Sequence, residues 1–499
     1  MPATVGLRKA WLGRREEAMN PLPVNVYSMP GFSISSGKGD PNQYALMAAY
    51  SATTNVAIYL YDPVQDSWAL QPTPTFPAGV YAVGNGTALG WHPAGPNVAV
   101  TDASAGSFTC AYNNIVHNLV GYRVRIISGA GAGQERTIVS HATPASGSAQ
   151  VFGVNSAWTT LPDTSSVIQI RSGGWYMVQG QGGSWGVGAF QFFDLATRTW
   201  NSSLSITGLQ VWGESGRFAI PYGTQFSTGK VVSGSASGIA VSENNGNAKT
   251  WAINRWVNYA VRITYGPGAG QTRTITANGA SDLTVDVAWD TQPTSSSTFV
   301  IEANEDKVYL GGGNSPRIYV YTRSTDSWAT ISGVDRGGTM LIGGTLDYID
   351  AEREDDWIDE SNGYNGRYLY SLRGNGAVTL DRLDITTGTW QNDIAVYTYR
   401  DYAYAGTCAE YRNGYLYIAQ GSYGRIIRMS PSQGIVTPWS QSVQMQQSSV
   451  GYDSATLFSA LTTVDGVPFY RFYLAPIPSP KQGVTNYSSL VSFLEAVDA

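Results

Sequence analysis

Three histidines, His92, His117 and His141, are the only imidazoles in this chain of 499 residues. Imidazole suits copper and zinc, so they are the first place to look for a metal. They have no ligand spacing such as HxH. The densest acidic run is Glu352, Glu354, Asp355, Asp356, Asp359 and Glu360, around Trp357. Glycosidase chemistry needs two carboxylates about 5–10 Å apart, and such a run also suits a cation or a sugar. The simpler reading is a solvated acidic loop, and the DxDxDG spacing of a calcium loop is missing. Cys110 and Cys408 form no CxxC pair, and each is expected to be a buried free thiol. Two glycine hexapeptides, GAGAGQ at 129–134 and GPGAGQ at 266–271, resemble phosphate-cradling loops. No Lys-Ser/Thr and no helical pattern follows either one. Each lies between a VRI and an RTI run, so a hairpin turn or bulge explains Gly131, Gly133, Gln134, Gly268, Gly270 and Gln271 better. Arg125, Arg136, Arg262 and Arg273 flank these turns. Pairing with carboxylates and contact with a neighbouring subunit are both open to them. No catalytic, cofactor-binding or metal-binding set is expected.

The elements that carry these residues are strands. Charged residues make up 13% of the chain, against about 25% in an average soluble protein. With 57 Gly, 31 Tyr and 15 Trp, this composition suits many short strands joined by tight turns. No long amphipathic helical pattern occurs. The net charge of −6 argues against direct nucleic-acid binding, which needs clustered Lys and Arg. No apolar run reaches the roughly 18 residues of a membrane span. Arg8, Lys9, Arg14 and Arg15 are followed by no apolar core, so no secretory signal is expected and the chain is expected to be made in a cytoplasm.

One unit recurs. An aromatic or apolar residue stands seven positions before a Trp, at Tyr61 and Trp68, Phe193 and Trp200, Tyr321 and Trp328, and Leu383 and Trp390. A looser copy runs from Gly414 to Trp439. Alternating strands precede each instance, and the expected object is a small antiparallel sheet whose Trp wedges against a neighbouring sheet. The unit resembles the kelch repeat, with Gly182-Gly183 and Gly312-Gly313 keeping its glycine doublet and the other units lacking it. That resemblance implies an all-β fold, a kelch-like β-propeller with blades of about 40–50 residues.

Trp328 to Trp390 spans 62 residues and Trp390 to Trp439 spans 49, whereas Trp68 to Trp200 spans 132 and Trp200 to Trp328 spans 128. Each long interval holds a blade plus roughly 75 further residues. The surplus is itself repeated. Gly121 to Ile138 matches Asn258 to Ile275, and Trp158, Thr160, Pro162 and Ser165 match Trp289, Thr291, Pro293 and Ser296. The expected organisation is an N-terminal arm at 1–25, a discontinuous propeller at 26–97, 173–227 and 304–499, and two small inserted antiparallel β domains at 98–172 and 228–303. Five or six blades are expected. The sixth would be built around Asp465 to Tyr473 and closed by strands near Tyr27 to Ile34, which would remove an aggregation-prone edge.

A kelch-type propeller raises the copper oxidases that resemble galactose oxidase, but the three histidines cluster in or beside the first insert. Sialidase propellers carry SxDxGxTW boxes. Ser242 to Gly246 begins like one, yet Trp251 falls five residues after the glycine rather than three. The insert resembles a segment of bacteriophage virion proteins: a Trp or Asn-Tyr, a VRI-like strand, G-x-G-A-G-Q, R-x-I, then W-x-T-x-P. The resemblance implies a non-enzymatic structural component of a virion, a nozzle-like tail subunit assembling as a ring with copies of itself and other virion proteins, with no membrane partner and no cofactor. A virion protein that binds host-surface glycan through exposed aromatics is the alternative, and a carbohydrate-active enzyme comes third.

Overall fold

The computed structural model of the chain describes residues 16–18, 28–34, 44–50, 57–75, 88–142, 149–180, 187–201, 204–209, 217–221, 225–311, 317–331, 345–348, 367–372, 379–396, 408–412, 415–419, 426–430, 435–440, 454–464, 467–477 and 491–496. The acidic run at 352–360 and the doublets Gly182-Gly183 and Gly312-Gly313 lie outside these residues. Apart from one helical turn at Arg323–Thr325, the described elements are strands.

Six four-stranded antiparallel sheets and two closed barrels account for the strands. Sheet I runs Ser28–Ile34, Ala45–Tyr50, Ala57–Asp62, Ser67–Gln71. Sheet II is Ala88–His92, Gly174–Gly180, Val187–Asp194, Thr199–Asn201, and sheet III is Arg217–Ala219, Lys307–Gly311, Ile318–Thr322, Ser327–Thr330. Sheet IV begins at Thr345–Tyr348 and ends at Thr389–Val396, and sheet V begins at Cys408–Arg412 and ends at Ile435–Ser440. Sheet VI joins Ser454–Val464, Val467–Ile477 and Val491–Ala496 to Glu16–Ala18. The first strand of each sheet touches the first strand of the next, and that of sheet VI touches that of sheet I, so the sheets close a ring. This is a β-propeller.

The ring closes differently from the expectation. Ser28–Ile34 is the inner strand of sheet I, paired with Ala45–Tyr50. Closure falls to Glu16–Ala18, inside the segment expected to be an arm, with Glu16 opposite Phe493 and Ala18 opposite Val491. Three residues reading Glu-Glu-Ala carry no alternation that could announce a strand. Only the vacant edge of sheet VI gives them a partner.

The seven-residue spacing has a simple geometric cause. Tyr61 lies opposite Trp68, Phe193 opposite Trp200, Tyr321 opposite Trp328 and Leu383 opposite Trp390, each pair across the last hairpin of its sheet. The residue two before each Trp turns the hairpin with positive φ: Asp66 at 47°, Arg198 at 53°, Asp326 at 45° and Gly388 at 69°. Tyr61 and Tyr321 donate their hydroxyls to Asp66 and Asp326 at 2.6 and 2.8 Å, which helps hold those non-glycine turns in place. Trp439 stands in Ile435–Ser440, the last strand of sheet V.

The Trp side chain faces the preceding sheet. Trp200 packs on a core shared by sheets I and II, with Leu46, Ile58, Trp175 and Phe193. Trp328 does the same between sheets II and III, against Phe190, Val308 and Tyr321. The indole Nε1 of Trp200 donates to the Pro72 carbonyl at 2.8 Å and that of Trp328 to the Ser205 carbonyl at 2.9 Å. Pro72 and Ser205 each follow the last strand of the previous sheet. Trp328→Ala therefore removes a buried ring and an inter-sheet hydrogen bond, and should cost about 3–5 kcal/mol in chemical denaturation. Trp328→Phe keeps most of the packing and should cost about 1–2 kcal/mol.

Candidate functional site

Both long Trp intervals are filled by a six-stranded closed barrel, with strands from Asn97–Ser104 to Val167–Ile170 in the first and from Gln225–Ser235 to Thr298–Glu302 in the second. Numbering strands within each barrel, both are ordered one-two-five-four-three-six around the closure. The interiors are packed: Phe108 stacks on Phe152 with centroids 5.0 Å apart, and Phe226, Trp256 and Tyr259 meet in the second. Each barrel is inserted between the first and second strands of its sheet. In an up-and-down sheet that connection lies on the same face as the turn between strands three and four. The contacts agree. The Val116 and His117 amides donate to Ala196 O at 2.9 and 3.1 Å, and Tyr112 donates to Asp194, in that turn of sheet II. Asn258 of the second barrel donates to Ile385 O in the corresponding turn of sheet IV.

The sequence motifs shared by the two barrels form one repeated device. Gln134 Nε2 donates to Gly131 O at 3.1 Å and Thr160 O at 2.7 Å, and its Oε1 accepts from Thr159 N at 2.7 Å. Gln271 donates to Gly268 O at 3.2 Å and Thr291 O at 2.8 Å and accepts from Asp290 N at 2.7 Å. Arg136 lies over Trp158 at 5.2 Å and bonds Ala157 O at 2.8 Å; Arg273 lies over Trp289 at 5.5 Å and bonds Ala288 O at 3.0 Å. Ser166 and Ser297 donate to Ala130 O and Pro267 O, both at 2.7 Å. The hexapeptides are hairpin turns, and Gln, Arg, Trp and Ser staple them to the loop before the last strand. The residues that open the two matched segments, Gly121 and Asn258, share a left-handed backbone conformation. Gly121 and its counterpart Asn258 have φ of 92° and 70°, and these two residue types tolerate the left-handed region best.

The tips of the two hairpins meet each other. A Cβ on Gly133 would stand 3.0 Å from Thr264 O and 3.3 Å from Gly270 N. One on Gly270 would stand 2.7 Å from Ala132 Cβ and 3.0 Å from Gly133 N and Ile127 O. Ile127 and Thr264 are equivalent positions, as are Gly133 and Gly270. The contact is therefore isologous, with the same patch used on both sides. Sequence reasoning did not find this contact; a glycine kept at the same place in both copies was its one trace.

Charge reinforces it. Arg123 and Arg125 hold Glu135 at 2.8 and 3.0 Å, Arg125 reaches Glu302 of the second barrel at 3.6 Å, and Arg262 holds Glu302 at 2.9 Å. Burial opposes the Arg125 charge, but Glu302, Glu305 and Glu135 outweigh it and raise its pKa above the ordinary range. Arg171, where the chain leaves the first barrel, grips Glu305, where it leaves the second, through two bonds of 2.6 Å. Burial pushes the Glu305 carboxyl up, yet Arg171 and Arg125 pull it far below the usual carboxylate range. Of the four arginines, Arg125 and Arg262 thus take the carboxylate role within one chain, and Arg136 and Arg273 bond backbone carbonyls, Arg273 pairing with Asp290 at 3.0 Å as well.

The histidines have separate structural duties. His92 is fully buried, accepts from Ala94 N at 3.1 Å and lies 2.8 Å from Glu305 O. Burial and Arg323 hold its pKa well below normal, which leaves a neutral ring donating from Nε2. His117 lies 3.0 Å from Tyr122 Oη, and burial lowers its pKa to about 4. His141 accepts from Leu119 N at 2.6 Å. Among the described residues, no group of three His, Cys, Asp or Glu is placed to share a metal. Cys110 is buried, its thiol pushed up to about 11 by burial, and Cys408 stands opposite Ala419 in sheet V. Ser242 to Gly246 enters a turn closed by the bridge between Ser242 and Ala248.

No protein-family model matches the chain, and no curated protein does. Among solved structures, the WD40 domain of Toxoplasma gondii coronin is 8% identical, with 98% of this chain and 87% of that one covered and a TM-score of 0.35. The xyloglucanase from Xanthomonas campestris is 13% identical, covering 95% and 85%, with a TM-score of 0.22. TolB from Acinetobacter baumannii is 10% identical, covering 93% and 79%, with a TM-score of 0.24.

Gly270→Ala places a methyl against Ala132 at a positive φ and should lower stability by about 1–3 kcal/mol, with faster protease cutting between barrels and propeller. The Arg171–Glu305 pair sets a pH dependence. Because the folded pKa of Glu305 is depressed, its stabilisation is full above the unfolded value of about 4.3 and is lost as pH falls below it. Denaturation midpoints measured from neutral to acid pH should fall less steeply for Glu305→Gln than for the parent chain.

Proposed function

We propose that this chain is a structural subunit of a bacteriophage virion, a nozzle-like tail propeller that assembles as a ring of copies and with other virion proteins. The observation that carries this reading is how the repeated residues are used. Gln134 and Gln271, Arg136 and Arg273, and Gly133 and Gly270 all hold a barrel together or join it to its twin. What the chain duplicated is a shape, and rigid shape is what an assembly subunit contributes. The resemblance of these same residues to virion modules supports the particle as its place, with synthesis in the host cytoplasm. The two barrels, fixed side by side on one face of the propeller, form the part that contacts neighbours or projects from the ring.

The test is direct. Negative-stain microscopy and native mass measurement of the full chain should reveal a closed ring, and peptide sequencing of purified particles should find the chain in stoichiometric amount. A strictly monomeric protein absent from particles would overturn the reading.

A further inference from the structure

The described residues contain two Asn-Gly dipeptides, both in the second barrel, and they meet opposite environments. Asn245 and Gly246 lie exposed at the tip of a short turn. The Gly246 amide donates to Glu243 O at 2.9 Å, its φ is 91°, and a Cβ there would meet nothing within 4 Å. The Asn245 Oδ1 accepts from Asn247 N at 3.0 Å, which polarises the side-chain carbonyl. Asn278, by contrast, is only 3% exposed. Its Nδ2 donates to Ala252 O at 2.9 Å and Gly279 O at 2.7 Å, and its Oδ1 accepts from Trp256 N at 2.7 Å. The Gly279 amide is tied to Asp282 O at 3.2 Å.

We propose that Asn245 is a site of spontaneous modification, converting by deamidation to aspartate and isoaspartate, and that the fold protects Asn278 from the same reaction. The backbone nitrogen of Gly246 attacks Asn245 Cγ and loses its proton to solvent. The Cγ–Nδ2 bond breaks, and the amide nitrogen takes up a proton from solvent and leaves as ammonia. Water then opens the five-membered imide at either carbonyl. Opening at one restores the ordinary backbone with an aspartate side chain; opening at the other routes the backbone through the side-chain carbon. The net change is amide plus water to acid plus ammonia, with no oxidant or reductant.

At Asn245 the reaction needs one exposed turn hydrogen bond to open, with water already present and no side chain at Gly246 to obstruct the approach. At Asn278 the leaving nitrogen and the carbonyl oxygen are both bonded inside the barrel, so reaction requires the surrounding strands to open first. The product carries a new negative charge beside Glu243, whose carboxylate pairs with the buried Lys249 at 2.7 Å. Of the two described Asn-Gly dipeptides, aged protein is therefore expected to carry charge variants at the exposed one and not at the buried one.

The experiment is incubation of the full chain at mildly alkaline pH and physiological temperature, followed by peptide mapping that separates Asn, Asp and isoaspartate. A parallel sample is held in denaturant. The native chain should convert at residue 245 faster than at 278 by more than an order of magnitude, and the denatured chain should convert at both. Asn245→Gln should abolish conversion at residue 245 and leave the circular dichroism of the chain unchanged. An intact Asn245 in native protein, or equal native rates at the two sites, would overturn the proposal.

Discussion

An indole N–H donated to the previous sheet is the interaction on which the ring depends. A four-stranded sheet buries its faces only against other sheets, so a propeller is a chain of sheet-to-sheet contacts. Trp200 and Trp328 make two of them with the same chemistry: a large ring for apolar area and one directional bond to a carbonyl that follows the preceding sheet. The opposing aromatic, Phe193 or Tyr321, supports the ring from within its own sheet, with centroids 5.1 Å away in each case. The apolar part supplies most of the free energy and the hydrogen bond supplies the direction.

The two barrels inherit their placement from that ring. Because both replace the same connection in neighbouring sheets, they emerge side by side, and glycines are needed where their hairpins touch. The contact uses backbone and methyl groups at the tips, and ion pairs beside them. Arg125 is shared between a carboxylate of its own barrel and one of the other, and Arg171 ties the exit of the first barrel to the exit of the second. Pairs of this kind add little net stability when they replace apolar packing, but losing one partner leaves a buried charge exposed to nothing that balances it. Their contribution is to fix the relative orientation of the two modules.

The same sequence feature can have different fates. Both glycine hexapeptides resemble anion-binding loops and serve instead as hairpins stapled by Gln and Arg. Three histidines that suggested a metal are dispersed into one hydrogen-bonded role each, with His92 and His117 kept neutral by burial. The two described Asn-Gly dipeptides read alike, yet one is solvated and the other is bonded at every polar atom. Residue type states what chemistry is available; burial and partners select which of it occurs.

By itself, the sequence determined the local rules. Spacing seven before a Trp follows from a hairpin register, and the duplicated G-A-G-Q, R-x-I and W-x-T pattern follows from a staple formed within one barrel. Both are short-range, so they leave a periodic trace that can be read directly. Only the tertiary structure decided what is long-range. Glu16–Ala18 is a strand because sheet VI lacks a fourth member, and nothing in Glu-Glu-Ala announces that. Gly133 and Gly270 meet because their sheets are neighbours in the ring, and Arg125 finds Glu302 for the same reason. Such contacts join residues over a hundred positions apart, where pairing depends on the closed geometry of the ring and leaves no pattern along the chain.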